Sequence, residues 1–373
     1  MRFFAKAVVI AAAAATMSGQ CAAQETRLLM TSLSPAGSTN SVFFNQWAQK
    51  LADQSGGALK IDVRDGTTLA NFGNVYERVQ DDVVQIGWAI HQVVAGKFPL
   101  SEVAGLPFVE GGFSRASLAL YRLDKTGLLN NEYKDVVPLV FSDFGPSQLH
   151  FARQPRSIDD LNGLKIGVAG RAPSQLVAAL GGTPISMQPG EFYEALQRRT
   201  VDGVITSWSA FAPYKLQEVT TYHVETLLGQ GTSMFFMAKK KYDALPDAAR
   251  KVLATNADEA TTLAFSKHFD NQWLDSKKPV AESDKHTIVQ LSPELTAKWR
   301  SSFEPVLQEW TRRRPNRAET MTKSRELHQQ AGSRLCLSVC FCKTGSHFCG
   351  TRSTAQISTR RRECRFQAGP ALV

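Results

Sequence analysis

Residues 161–207, LNGLKIGVAGRAPSQLVAALGGTPISMQPGEFYEALQRRTVDGVITS, contain the pattern that decides the fold class. Lys165–Val168 and Val204–Ser207 are short, largely apolar stretches, and they predict strands. Between them, Pro173–Leu180 and Gly190–Arg199 carry apolar residues at helical spacing and predict helices. Strands and helices that alternate over such short distances are typical of an α/β protein.

The same alternation continues toward the N-terminus. We predict strands at Leu28–Ser32, Leu59–Val63 and Val83–Ile90, where apolar and β-branched residues are concentrated. Phe43–Ala52 predicts a helix because its apolar residues recur every three or four positions, and a Gly-Gly pair ends it. Tyr76–Asp82 predicts a second, shorter helix. The N-terminal part is therefore built on the same principle.

The rest of the chain adds strands and then becomes mostly helical. Val136–Phe141, Leu149–Ala152 and Thr232–Ala238 predict strands. From Pro246 onward helices dominate, including a long amphipathic helix over Leu291–Arg312 that opens with Ser-Pro-Glu. This order predicts parallel sheets covered by helices on both faces. Because 373 residues exceed the usual size of a single core, we expect two lobes or two domains.

Both ends of the chain distort its total charge of +9 and its count of six cysteines. Residues 1–23 have a cationic start, an apolar run and small residues at their end, which predicts a signal peptide cleaved before Gln24. Residues 332–373 hold five cysteines and contribute +6. Their C-x3-C-x-C-x6-C spacing lacks the paired geometry of a zinc site, and we expect an anomalous, disordered tail. The remaining body carries only +1, so its charge indicates no nucleic-acid partner.

The body contains none of the common catalytic or cofactor-binding motifs. It has no G-x-S-x-G elbow, no H-E-x-x-H, no Walker loop, no G-x-G-x-x-G and no cysteine. Its histidines are scattered without metal-ligand spacing. We therefore expect no catalytic residue, no metal and no cofactor. A catalytic triad need not be local in sequence, so an exported α/β enzyme stays open as an alternative.

Four blocks of the body resemble the solute-binding proteins of TRAP transporters, the tripartite ATP-independent periplasmic systems. The blocks are GKFPLSEVAGLPF (96–108), IDDLNGLKI (158–166), ALGGTPISM (179–187) and EFYEALQ (191–197). They occur in family order, and the similarity covers about residues 25–331. A single block would be a weak signal, whereas four in register are specific.

The resemblance implies a two-lobed periplasmic binding protein fold of the α/β class, with a ligand cleft between the lobes and a long helix packed on both. Residues 24–146 plus about 235–275 would form lobe I, and 147–234 plus about 276–331 would form lobe II. The receptor would bind a small organic acid and deliver it to a TRAP-type membrane permease driven by an ion gradient. It would work in the periplasm, and we expect a monomer. A sensory ligand-binding module is a further alternative.

The predicted ligand anchor departs from the family pattern. The family usually has its carboxylate-binding arginine directly after the Lys-Ile of the second block, where this chain has Gly167. Arg171 follows four residues later, at a strand-to-helix turn, and we expect it to substitute because a guanidinium donates paired hydrogen bonds to a carboxylate. A solvated arginine at a helix start is the alternative. A second alternative is that the ligand lacks the carboxylate that is usual for this family.

Other predicted ligand-binding residues follow strands, because open α/β sheets bind ligands at the carboxyl ends of their strands. Trp88 and Trp208 would form walls of the cleft, although a tryptophan at a strand end is as often core. Gln148 and His150 lie near the predicted crossing between lobes and would donate to an anion, unless they serve structural hydrogen bonds. The remaining predicted residues are Ser34, Thr67, Ser207 and Phe211.

Overall fold

A computed structural model describes residues 25–94, 96–108, 113–312 and 315–342. The predicted signal peptide, residues 1–23, lies outside the described residues, as does the tail beyond residue 342. The strands are β1 (Thr26–Thr31), β2 (Leu59–Arg64), β3 (Gly87–Ile90), β4 (Val136–Phe151), β5 (Lys165–Val168), β6 (Thr183–Ser186), β7 (Gly203–Ser207), β8 (Tyr222–Glu225), β9 (Gln230–Ala238) and β10 (Thr287–Gln290).

The α-helices in the described part of the chain surround these strands. They are α1 (Thr39–Gln54), α2 (Val75–Gln80), α3 (Arg115–Lys125), α4 (Arg171–Ala179), α5 (Phe192–Gln197), α6 (Phe211–Tyr214), α7 (Lys239–Asp243), α8 (Asp247–Asn256), α9 (Glu259–Ala281), α10 (Pro293–Arg312) and α11 (Pro315–Cys342). Single 3₁₀ turns at Ser101–Gly105, Pro189–Glu191, Trp208–Ala210 and Leu216–Glu218 complete the connections.

Two groups of strands form the two lobes, and β4 runs through both. In lobe I, β1 pairs in parallel with β2, while β9 pairs antiparallel with β3 and with the first part of β4. In lobe II the strand order is β10-β8-β4-β7-β5-β6. The sheets are mixed, because β4 is antiparallel to β7, β8 and β9. The prediction of purely parallel sheets is wrong, since one strand crosses between the lobes against the direction of its neighbours.

The sequence predicted two separate strands where β4 is continuous. The polar stretch after Phe141 interrupts the apolar pattern, and Gly145 and Pro146 look like a turn. In the structure this stretch is the crossing between the lobes, and the register with β9 shifts between Asp143 and Pro146. Gly145 has a φ of 71°, which bends the strand without ending it.

The long helix α9 packs on both lobes. Its N-terminal half carries Phe265 and Phe269 into the lobe I core, where Phe265 lies 5.2 Å from Phe235 between ring centroids. Its C-terminal half carries Trp273 and Val280 into a second hydrophobic cluster in lobe II. Helix α9 therefore has the position that the resemblance implied for a long helix shared by the lobes.

The C-terminal helices contact both lobes. Residues 276–331 were expected in lobe II, and α10 packs on α4 of that lobe, while Arg300 Nη2 also donates to Phe108 O of lobe I at 3.0 Å. Helix α11 continues to Cys342, whereas the sequence predicted a tail without regular structure from residue 332. Residues 333–342 contain neither glycine nor proline, so nothing in the backbone stops the helix there.

Candidate functional site

A cavity of about 120 Å³ lies between the lobes, beside β3, the middle of β4 and the end of β7. Its apolar wall combines aliphatic side chains with six aromatic rings, those of Phe72, Trp88, Phe144, Phe192, Tyr214 and Phe269. Its polar wall includes the neutral side chains of Asn40, Gln92, Ser147, Thr206, Ser207 and Ser209. Among the described residues, no acidic or basic side chain forms part of this wall.

Trp88, the second residue of β3, is the central ring of the aromatic wall. It stacks on Phe235 with centroids 5.6 Å apart and an interplanar angle of 2°. Phe144 and Phe269 lie 5.7 and 5.8 Å from it. Its Nε1 donates to Ser233 Oγ at 3.0 Å. The hydrogen bond and the ring contacts hold the indole in one orientation, so the wall is preformed.

The serines after β7 are tied to the crossing strand. Ser207 Oγ donates to the backbone oxygen of Phe144, and Ser209 Oγ donates to the same oxygen at 3.0 Å. The structure places Ser207, the last residue of β7, in the wall, and its hydroxyl connects β7 to β4. Trp88 and Ser207 are the two predicted residues that the cavity brings together.

Trp208 and Phe211, also predicted at this strand end, lie behind the wall. Trp208 is fully buried, and its Nε1 donates to Glu225 Oε1 at 3.0 Å. Phe211 is buried against it with ring centroids 4.4 Å apart. Both rings belong to the hydrophobic cluster of lobe II. The sequence could not separate a wall residue from a core residue here, because both are aromatic and adjacent to the same strand.

His150 forms the inner end of a series of three hydrogen-bonded histidines. Its Nε2 faces the carbonyl oxygen of Thr206 at 3.3 Å and must donate, so its Nδ1 accepts from His223 Nδ1 at 2.9 Å. His223 Nε2 then accepts from His286 Nδ1 at 3.1 Å. Burial lowers the pKa of all three, that of His223 to about 3. His150 is therefore neutral, with both nitrogens committed.

Gln148, Ser34 and Thr67 also lie outside the cavity wall. Gln148 Oε1 accepts from Thr226 N at 2.9 Å, which is the structural alternative considered for this residue. Ser34 is buried, and its backbone oxygen accepts from Gly66 N at 2.8 Å. Thr67 is exposed to solvent. The first and second strands thus end at this edge as expected, but their loops fold onto each other.

Arg171 is exposed at the first position of α4 and does not line the cavity. It lies close enough to Glu102 to lower the pKa of that carboxyl, although burial has the larger effect and raises it to about 7. Gly167, at the family's arginine position, leaves little room for a side chain. A Cβ there would lie 3.0 Å from Val204 Cγ1 and 3.1 Å from Met187 Sδ.

The two lobes touch at the edges of the cavity through glycines. A Cβ on Gly170 of lobe II would lie 2.7 Å from the backbone oxygen of Gln92 in lobe I. On another edge, a Cβ on Gly73 of lobe I would lie 3.2 Å from Gln188 Nε2 of lobe II. These approaches bring the lobes into direct contact, which is the closed form of a hinged receptor.

Two buried carboxyl groups lie close together, one on the crossing strand and one on α9. Burial is the main reason why the pKa of Asp143, on β4, is raised to about 6 and that of Asp270, on α9, to about 7. The Asp143 charge raises the pKa of Asp270 further. Ser114 Oγ donates to Asp270 Oδ2, and Ser117 N donates to Asp143 Oδ2 at 3.0 Å.

Several wall residues were not predicted as ligand contacts. Asn40 lies in the first turn of a helix, Gln92 follows a strand, and Phe192 lies in the helix predicted over Gly190–Arg199. Phe72, Phe144 and Phe269 carry no motif that distinguishes them from core aromatics.

Within the described ranges, no helix is both long and apolar enough to cross a membrane. In the same ranges, no group of three or more His, Cys, Asp or Glu side chains could hold a metal ion.

Comparison with known proteins gives one family. Residues 30–313 match the family model of the bacterial extracellular solute-binding protein, family 7 (DctP). The C4-dicarboxylate-binding periplasmic protein DctP of Rhodobacter capsulatus is 27% identical over 279 residues, which are 71% of this chain and 78% of that protein. The outer membrane transporter protein TsaT of Comamonas testosteroni is 25% identical over 273 residues, 72% of this chain and 80% of TsaT.

A solved structure has the same fold. It is a TRAP solute binding protein specific for aromatic acid ligands, from an unidentified microbe of a marine metagenome, in complex with metahydroxyphenylacetate. The two superpose with a TM-score of 0.76 and are 25% identical. The match covers 82% of this chain and 99% of the other.

Proposed function

This chain belongs to family 7 of the bacterial extracellular solute-binding proteins, and we propose that it binds a small monocarboxylic acid with one aromatic ring and delivers it to a TRAP-type permease. The family consists of solute receptors and not enzymes, so the alternative of an exported enzyme is set aside. The aromatic, uncharged wall of the cavity is the observation that carries the proposal.

The size and polarity of the cavity support a ligand with one ring and one charge. An engineered apolar cavity of roughly 150 Å³ binds benzene, so a cavity of about 120 Å³ suits a single ring. A planar ligand can pack against Trp88 and Phe269, and these ring contacts add to the gain from burying its apolar surface. A second carboxylate would have to be buried without a cation, which costs several kcal/mol. C4-dicarboxylates are therefore disfavoured.

The site of action and the partners belong to the same proposal. Residues 1–23 would direct export and be removed, and the receptor would work in the periplasm as a monomer. Lobe closure around the acid would create the surface that the permease recognises. The relative that is specific for aromatic acids supports the ligand class. Deletion of the gene should abolish uptake of the acid, whereas a purely sensory module would leave uptake intact.

A direct binding experiment tests the ligand class. The purified protein is unfolded and refolded to remove any ligand that copurifies, and is then titrated calorimetrically with benzoate, cyclohexanecarboxylate and succinate. We expect one benzoate per chain, with a change in tryptophan fluorescence because Trp88 lies in the wall. Cyclohexanecarboxylate should bind more weakly, since it cannot stack, and succinate should bind weakest. Succinate binding more tightly than benzoate would contradict the proposal.

A further inference from the structure

We infer that Asn40 binds the carboxylate of the ligand through its side-chain N–H groups, and that His268 holds the Asn40 amide in the orientation that permits this. The inference rests on the proposed function, because it names the polar contact of the same cavity. It also accounts for recognition of an acid in a cavity whose described wall has no arginine, lysine or charged histidine.

The contact between Asn40 and His268 fixes the direction of the amide. Asn40 Oδ1 and His268 Nε2 are 2.8 Å apart. A carbonyl oxygen can only accept, so His268 carries its proton on Nε2 and donates it. The amide is planar, and its Nδ2 therefore lies on the side away from His268. Nδ2 has no hydrogen-bond partner among the described residues, while Asn40 is only 6% exposed and lines the cavity.

His268 is suited to this positioning role. Its ring stacks on Phe43 with centroids 4.2 Å apart and an interplanar angle of 8°, and it meets Phe269 edge to face at 5.3 Å. Burial lowers its pKa to about 4, so the ring is neutral at physiological pH. A neutral ring with a fixed N–H donor orients the amide without adding a charge that would itself attract the acid.

The Gln92 amide and two serines of the wall are already engaged in hydrogen bonds within the protein. Gln92 Nε2 donates to Thr232 Oγ1 at 3.2 Å, and its Oε1 accepts from Thr232 N at 3.2 Å. The hydroxyls of Ser207 and Ser209 donate to a backbone oxygen of the crossing strand. Asn40 Nδ2 makes no such bond to a described residue, so its two N–H groups can serve a ligand in the cavity.

The helix that carries Asn40 adds to its attraction for an anion. Asn40 is the second residue of α1, and Ser38 caps this helix by accepting from Ser41 N at 3.3 Å. The first turn of a helix carries partial positive charge, which favours a carboxylate nearby. The unpaired, buried amide and the helix start therefore point to the same ligand group.

Substitutions at Asn40 separate this inference from a general loss of folding. Asn40→Asp replaces the donors by a carboxylate, and it should weaken benzoate binding about 30-fold or more while leaving benzamide binding nearly unchanged or stronger. Asn45→Asp is the matched control, because Asn45 lies one turn further along α1, exposed and outside the cavity wall. It should leave both affinities within about twofold of those of the unmodified protein.

Substitutions at His268 test the positioning role. His268→Phe keeps the stack on Phe43 but removes the donor, so the Asn40 amide can turn its oxygen toward the ligand. The ratio of benzoate to benzamide affinity should fall about tenfold, and His268→Gln, which restores an N–H donor, should recover part of it. A purely structural role would lower both affinities together, and that result would overturn the assignment of His268.

The outcomes distinguish failure of the inference from failure of the proposed function. If the unmodified protein binds benzoate but Asn40→Asp behaves like Asn45→Asp, the inference is overturned and the proposed function stands. If the unmodified protein binds no aromatic acid, both are overturned. If circular dichroism shows that Asn40→Asp fails to fold, Asn40→Ser tests the inference instead. Its affinity for benzoate should fall about fivefold to tenfold, while its affinity for benzamide should not.

Discussion

Replacing Gly170 by alanine should prevent full closure of the two lobes. Gly170 has a φ of 107° and a ψ of 171° and precedes α4. Its Cα faces Gln92 across the lobe contact, where an added Cβ would lie 2.7 Å from the backbone oxygen and 2.9 Å from the Cβ of Gln92. Because one of these atoms is backbone, no side-chain rotation relieves the contact.

The expected loss of affinity follows from two separate costs. A non-glycine residue in this part of φ/ψ space is strained by about 1–3 kcal/mol, which lowers stability whether the lobes are open or closed. The overlap with Gln92 exists only when the lobes are closed, and overpacking of this kind costs about 1–3 kcal/mol. The second cost acts on ligand binding, and it corresponds to a loss of about fivefold to 150-fold in affinity.

Gly163→Ala is the matched control for the strain alone. Gly163 also has a positive φ, of 76°, but no atom lies within 4 Å of an added Cβ. Calorimetric titration with the acid gives the affinities, and small-angle X-ray scattering with and without ligand gives the compaction on closure. We expect Gly163→Ala to be destabilised, yet to bind and compact like the unmodified protein. Gly170→Ala should bind more weakly and compact less.

Equal affinity and equal compaction of Gly170→Ala and Gly163→Ala would refute this reasoning. It would mean that the approach of Gly170 to Gln92 does not limit closure, and that the lobes bind ligand at a wider separation. A loss of stability in both variants without any difference in binding would lead to the same conclusion.

Three further substitutions address the charges around the cleft. Burial and His286 lower the pKa of His223 to about 3 in the folded state. As the pH falls, the unfolded state therefore binds a proton at this residue before the folded state does. His223 should therefore contribute about 1.4 kcal/mol per pH unit to the fall in the free energy of unfolding below pH 6.5, and His223→Gln should make the total slope shallower by that amount in urea denaturation. Burial and Asp143 raise the pKa of Asp270 to about 7, so its charge destabilises the fold as the pH rises. Asp270→Asn should raise the free energy of unfolding at pH 8 and change it little at pH 4, and an equal change at both values would argue against the raised pKa. Arg171→Ala should leave affinity for the acid within about twofold, since Arg171 lies outside the wall, whereas a tenfold loss would restore it as an anchor.

The fold class could be predicted from local patterns because each pattern reflects one element. Lys165–Val168 is a strand with the bounds that the sequence indicated, and the two lobes with their shared helix agree with the family resemblance. The strand β4 was predicted as two separate strands because its polar middle interrupts the apolar pattern. That middle is buried only by contacts between the two lobes. No local pattern distinguishes a turn from a strand that passes from one sheet to another.

The candidate site was predictable only in part. Trp88 and Ser207 were proposed from their positions near predicted strand ends, and the structure places both in the cavity wall. Trp208 and Phe211 were proposed on the same basis but point into the core of lobe II. Asn40 and Phe269 come from helices far apart in the chain, and only the packing of α1 and α9 brings them to one cavity.

The sequence alone determined that this protein is a two-lobed α/β receptor, because strand and helix patterns and four ordered family blocks are local properties of the chain. The tertiary structure decided which side chains line the cavity. Arg171, the expected anchor, lies outside the wall, and His150 is hydrogen-bonded in a series of histidines. The amide of Asn40 lines the cavity. The reason is that a ligand site depends on the direction of each side chain after the lobes meet, and that direction is set by contacts between segments distant in sequence.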